Sequence, residues 1–145
     1  MASLNWGSAT HQGQIRAQNE DNLVAVDGVY VVADGMGGHE AGEVASKIAV
    51  ERIRADLDVE GLPKASTVVD SISNANRDIF RAAIANPGQA GMGTTVTAIA
   101  VIGDDLAGRG APNLDVNDDG KMTPIRAAEP TEALVLANVG DSRTY

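Results

Sequence analysis

Asp34-Gly35-Met36-Gly37-Gly38-His39 is the segment of this chain best suited to chemistry. It follows an apolar run, Val29-Tyr30-Val31-Val32-Ala33, that reads as a buried strand. Such a strand holds an acid at its end on a rigid base. The glycines let the backbone turn sharply and approach a ligand closely. A carboxylate, a backbone carbonyl and a titratable imidazole are thereby offered at one point, although a plain glycine loop would look the same.

Three further polar clusters stand at predicted strand ends. Arg16-Ala17-Gln18-Asn19-Glu20-Asp21 precedes the first strand, Gly91-Met92-Gly93-Thr94-Thr95 opens the third, and Asn138-Val139-Gly140-Asp141-Ser142-Arg143 closes the fourth. Any one of these acids alone reads as a turn or cap residue. Their joint occurrence with an arginine points to metal and phosphate chemistry. Carboxylate and carbonyl oxygens are hard ligands, suited to magnesium or manganese and not to zinc or copper. Two such ions sharing a carboxylate activate water as a nucleophile, and an arginine fork holds phosphate.

The elements that must position these groups follow from pattern. Leu23-Val24-Ala25-Val26 and the run from Val29 flank Asp27-Gly28, a strong hairpin signal. Ala41, Ala45, Ile48, Ala49, Ile53 and Leu57 recur at helical spacing. A second helix is predicted from Ala65 to Ala85, with Val68, Val69, Ile72, Ala75, Ile79, Phe80 and Ala83 on its apolar stripe, stopped by Asn86-Pro87-Gly88. Thr94 to Ile102 and Ala133 to Val139 read as strands. Two strands, two helices and two strands make an α+β fold with helices laid on a sheet.

Composition narrows the function. The 145 residues suffice for one domain with a core, and aromatics make up only 3%, so that core is aliphatic. A net charge of −9 argues against nucleic acid and anionic membrane surfaces as partners. There are no cysteines, hence no disulfide or thiolate metal site, which fits a cytoplasmic protein. No signal peptide and no membrane-spanning run is evident. His11, in a polar loop, is taken as an exposed bystander.

The segment from Gly103 to Glu132 is rich in Gly, Pro, Asp and Asn and is expected to be a long flexible excursion between paired strands. Within it, Asp115, Asn117, Asp119 and Gly120 mimic the first half of a calcium loop, but Arg126 stands where a bidentate acid is required. A solvated acidic turn is the competing reading.

Taken in order, Arg16…Asn19-Glu20-Asp21, Asp34-Gly35-Met36-Gly37-Gly38-His39, Gly93-Thr94-Thr95 and Val139-Gly140-Asp141-Ser142-Arg143 resemble the PPM family, the metal-dependent serine/threonine protein phosphatases of type 2C. Ala41-Gly42-Glu43-Val44-Ala45-Ser46 is similar to the bacterial branch. The resemblance implies hydrolysis of phosphoserine and phosphothreonine in proteins by metal-activated water, opposite a serine/threonine kinase in bacterial signalling. It implies two catalytic Mn2+ or Mg2+ ions and a third, more weakly held one. Arg16 would bind the substrate phosphate. Glu20 and Asp21 would belong to the metal cluster, Asp34 would bridge the metals, and Gly35 would lend its carbonyl. Asp141 would serve the third ion, and His39 would protonate the leaving oxygen. Thr94 and Thr95 take a structural role, Ser142 is not a nucleophile, and Arg143 would brace Asp141 or a nearby loop.

The implied fold is a β-sandwich in α-β-β-α layers. Its later half supplies two further aspartates that nothing in this chain matches. Residues 1–145 are therefore expected to form the N-terminal part of a single PPM-type domain, with 103–132 as an inserted loop, weak metal binding and little turnover in isolation. A half-sandwich would leave an apolar sheet face uncovered. The competing function is a non-catalytic pseudophosphatase or regulatory fragment that holds a phosphoprotein without hydrolysing it.

Overall fold

The computed structural model describes residues 4–37, 41–103, 114–116, 122–124 and 132–145. Strands β1 (Asp21–Val26) and β2 (Val29–Met36) form the expected hairpin. Its turn is Asp27-Gly28, and Gly28 adopts a positive φ of 80° that an Asp-Gly turn supplies at little cost. Val26 pairs with Val29, and the ladder runs back to place Asp21 opposite Asp34.

On its other side β2 pairs with β3 (Gly93–Thr94) and β4 (Val96–Gly103), and β7 (Glu132–Val139) pairs with β4. The main sheet is antiparallel, in the order β1-β2-β4-β7. The run predicted as one strand from Thr94 to Ile102 keeps one register against β2 but is interrupted at Thr95. There the Thr95 N–H donates to Asp34 O at 2.9 Å, while the Asp34 N–H goes to the Thr95 hydroxyl at 3.2 Å instead of to a carbonyl. Strands β5 (Leu114–Val116) and β6 (Met122–Pro124) form a separate two-stranded piece. The rest of the 103–132 excursion lies outside the described residues, and with it most of the calcium-like segment from Asp115 to Arg126.

Helices α1 (Ala41–Leu57) and α2 (Ala65–Ala85) span the predicted ranges. The α1 column Ala41, Ala45, Ala49, Ile53 and Leu57 is buried against β1 and β2, with Gly42, Ser46 and Val50 beside it. Helix α2 packs on α1 and buries Val68, Ser71, Ala75 and Ile79. Val69 and Phe80, expected on that stripe, are instead 61% and 68% exposed. Each lies one position, about 100° of helix, from the column that meets α1. That column carries Ser71 and Ala75, whose small side chains let the two helices approach.

Val24, Val29, Val31, Ala33, Val96, Ala98, Ala100 and Ile102 point from the sheet into the helical layer and form the core with it. On the opposite face Val32, Leu134 and Leu136 are about half exposed. Trp6 covers a corner of that face, edge-on to Tyr30 with ring centroids 6.0 Å apart. Among the described residues the main sheet thus carries one helical layer, and its other face is apolar and partly exposed, as expected from the sequence.

Ser46 ties this layer to the polar loop before β1. It is fully buried, and its Oγ lies 2.6 Å from the carbonyl of Glu20 and accepts from the Asn22 amide at 2.9 Å. Ser46→Ala removes both bonds at a half-buried junction and leaves Glu20 O with the Gly35 N–H and the Asn22 amide with a long 3.4 Å bond to Glu43 O, at a cost of about 1–3 kcal/mol. The expected fall in Tm, read by calorimetry, is roughly 4–15 °C.

Candidate active site

Asp34 sits near the end of the central strand β2, between Asp21 on β1 and Thr95 before β4. Its backbone is held on one side by Thr95, as above, and Thr94 Oγ1 also donates to its carbonyl at 2.9 Å. The two threonines therefore fix the strand that carries the acid, which is the structural role expected of them. The next residue, Gly35, donates its N–H to Glu20 O at 3.1 Å. It also lies directly against Gly42 in the first turn of α1.

Arg16, Glu20, Asp21 and Asp34 line one open cavity of about 210 Å³, together with His11 and Asn19. Asn19 shapes the loop: its Oδ1 accepts from the Asp21 N–H at 3.2 Å, and its side-chain amide donates to Thr10 Oγ1 at 2.8 Å. Arg16 Nη1 reaches Glu20 Oε2 at 2.6 Å, and the arginine remains 64% exposed. Its guanidinium is thus anchored at one point and open to an anion elsewhere.

The carboxyl of Asp21 is held above its ordinary value of 3.8. Partial burial is the main cause. The charge of Asp34 and a side-chain hydrogen bond with it come next, Glu20 adds to them, and Arg16 opposes them. Two carboxylates in contact at a strand edge are a donor set for a hard divalent cation, which relieves the repulsion that otherwise keeps a proton there. Among the described residues no group of three or more acids or histidines converges as a complete metal site. The cluster supplies part of a ligand set.

The raised Asp21 carboxyl has a pH consequence. A raised acid binds its proton more tightly folded than unfolded, so it costs stability above its folded pKa. That cost is relieved as pH falls through the folded value towards 3.8. Asp34→Asn removes the charge that contributes to the shift. Carboxyl carbon NMR should find Asp21 titrating at lower pH in the variant. The variant should be the more stable protein at neutral pH, and the difference should shrink on acidification.

Asp141 follows β7 and is exposed. Its neighbours dock on Thr95: Ser142 Oγ lies 2.7 Å from Thr95 Oγ1, and Gly140, at a positive φ of 97°, presses against the threonine side chain. Asp141 therefore sits one residue beyond the support of Asp34 but is not on the cavity lining. Ser142 takes a bracing position. Arg143 is exposed and forms no ion pair with Asp141 among the described residues, which leaves a nearby loop as the other group it was expected to brace. His39 lies outside the described residues. His11, taken as a bystander, is exposed as expected but stands on the lining of the acid cavity, its Nδ1 accepting from the Gly13 N–H at 2.9 Å. Nothing in its sequence neighbourhood signals this. The pairing of Asp21 with Asp34 did have a signal: an Asp27-Gly28 turn that pairs Val26 with Val29 sets every later pair by counting outward.

No protein-family profile matches the chain. The serine/threonine protein phosphatase PstP of Mycobacterium tuberculosis is 36% identical over 104 residues, which are 71% of this chain and 20% of PstP. The serine/threonine phosphatase stp of Listeria monocytogenes is 32% identical over 147 residues, covering 94% of this chain and 47% of stp. The catalytic domain of PstP in complex with two manganese ions superposes with a TM-score of 0.56 at 26% identity, over 88% of this chain and 69% of that one. The PPM Ser-Thr phosphatase MsPP of Mycobacterium smegmatis, in complex with cacodylate, gives 0.57 at 33% identity, over 65% of this chain and 38% of that one. The chain spans less than half the length of these two curated relatives. With the ordered motifs, the shared sheet-and-helix fold and these relatives, the chain belongs to the PPM-type serine/threonine phosphatases.

Proposed function

We propose that the protein dephosphorylates phosphoserine and phosphothreonine residues in proteins, and that this chain contributes the phosphate seat and part of the metal-holding acids. The observation that carries this reading is the single cavity shared by an exposed arginine and the Asp21–Asp34 pair. The relatives' names and the manganese complex of PstP support it.

Asp34, Asp21, Glu20 and the carbonyl of Gly35 are the groups that would hold Mn2+ or Mg2+, with Asp141 serving a third ion. Bound divalent cations neutralise a phosphomonoester dianion and lower the pKa of the attacking water from about 15.7 towards neutrality. The chain's own residues do the rest. Arg16 grips the phosphate and fixes its orientation beside the acids. Thr94 and Thr95 keep the Asp34 backbone from shifting. His39 carries an imidazole, the side chain best suited to protonate the leaving serine or threonine oxygen near neutral pH.

We further assign residues 1–145 to part of one PPM-type domain, with 103–132 as an insert. We place the protein in the cytoplasm, opposite a serine/threonine kinase and its targets. No helix among the described residues is long and apolar enough to cross a membrane, and the charge of −9 disfavours anionic surfaces.

The test is calorimetric binding of a phosphothreonine peptide with manganese present, beside Arg16→Ala. Loss of a charge-assisted fork costs about 1.5–3 kcal/mol, or roughly 10–150-fold in Kd. Equal binding by both proteins would remove Arg16 from the phosphate seat. Manganese-dependent release of phosphate from the same peptide then separates a catalytic protein from one that only holds its phosphoprotein.

A further inference from the structure

A second and larger cavity, of about 670 Å³, adjoins the acid cavity. Arg16, Gln18 and Glu20 line both. The rest of the lining includes Ala17 and Val44 and, in the turn that follows α2, Asn86 and Gln89. Its volume lies within the roughly 300–1,000 Å³ of ordinary ligand pockets. Among the described residues its only charged lining groups, Arg16 and Glu20, are paired with each other. The remaining lining combines aliphatic surface with side-chain amides, which can donate and accept. The Asn86 Oδ1 is already used by the Gly88 N–H at 3.1 Å, so Gln89 and Gln18 are the amides best placed to meet a ligand.

We propose that this cavity is the subsite for the peptide flanking the phosphorylated residue, and that Gln89 and Ala17 set the preference there for an uncharged residue. This rests on Arg16 seating the phosphate. With the phosphate at Arg16, the peptide leaves the acid cavity across the shared wall of Arg16, Gln18 and Glu20 and enters the larger one. An extended segment then meets amides able to pair with its backbone and an aliphatic wall able to take a small apolar side chain. Among the described residues an acidic flank finds no free cation there, because the arginine on the lining is engaged by Glu20 and by the phosphate.

The experiment compares three ligands by calorimetry in manganese buffer: free phosphothreonine, a phosphothreonine peptide with neutral flanks, and one with acidic flanks. The wild-type chain should bind the neutral peptide about 10-fold more tightly than phosphothreonine and the acidic peptide no better than phosphothreonine. Ala17→Phe, which fills an exposed edge of the cavity, should remove the peptide advantage and leave phosphothreonine binding unchanged. Gln89→Lys should raise affinity for the acidic peptide, a gain that loss of structure cannot produce. If wild type binds phosphothreonine and both peptides equally, the subsite is refuted while the phosphate seat stands. If none of the three binds, the phosphate seat fails and the subsite with it.

Discussion

Asp34→Asn reduces manganese affinity by at least about 100-fold while leaving the fold intact. Loss of groups that merely orient a ligand costs about 10–100-fold in metal affinity, and Asp34 is proposed as a ligand itself. Asparagine keeps the shape of the side chain. The backbone bonds that hold this position, Thr95 N–H to Asp34 O and Asp34 N–H to Thr95 Oγ1, do not use the carboxylate. Removing the negative charge also relieves Asp21. The variant is therefore expected to unfold at the same or a higher denaturant concentration, which separates loss of the site from loss of the protein. Asp27→Asn, in the hairpin turn at the far end of the same strand, is the control and should bind as wild type does. Manganese titration by calorimetry or electron paramagnetic resonance reads the result. Equal affinity in wild type and Asp34→Asn would remove the acid pair from the metal centre.

Much of the scaffold was legible because its signals are local. The Asp27-Gly28 turn defined a hairpin, and the four-residue recurrence from Ala41 to Leu57 marked both the extent and the buried face of α1. On α2 the apolar residues form a stripe wider than the one column that meets a partner, so periodicity alone placed Val69 and Phe80 inside. The partner helix decides between adjacent columns, and it chose the one containing Ser71. Ser46 was invisible as a core residue because its acceptor, Glu20 O, lies in a distant segment, whereas Ser71 turns its hydroxyl back onto Val68 O in its own helix and is buried only because α1 packs over that column. The acids Asp21 and Asp34 could be named from their strand-end positions. The position of Asp141 beside Thr95, and of His11 on the acid cavity, depends on contacts between distant segments. No spacing rule carries those.

The sharpest test of the frame beneath the site is Gly35→Ala. A Cβ on Gly35 would stand 2.0 Å from the carbonyl oxygen of Gly42, 2.4 Å from its carbon and 2.7 Å from the carbonyl oxygen of Glu20. All three are backbone atoms, so no side chain can swing aside. Helix α1 must move off β2, loosening the seal at Ala41 and Ala45, and the Glu20 carbonyl must shift as well, which strains its bond from the Gly35 N–H. Ordinary overpacking costs about 1–3 kcal/mol, and a clash bounded by backbone on two sides belongs at or above the top of that range. Against a total stability of roughly 7–22 kcal/mol for a chain of this length, that is a large fraction. Gly42→Ala provides the contrast. Its Cβ would meet Gly35 and the Glu20 carboxylate at 3.0–3.1 Å, a tight fit that a few tenths of an ångström relieve. Alanine in a helix also recovers up to about 1 kcal/mol over glycine. Urea unfolding should therefore find Gly35→Ala strongly destabilised and Gly42→Ala only mildly so. Because Asp34 adjoins the displaced residue, Gly35→Ala should also weaken manganese binding in the fraction that remains folded. Equal midpoints for wild type and Gly35→Ala would mean that α1 does not seat against β2 at this glycine, and the acid pair would lose the support on which its geometry depends.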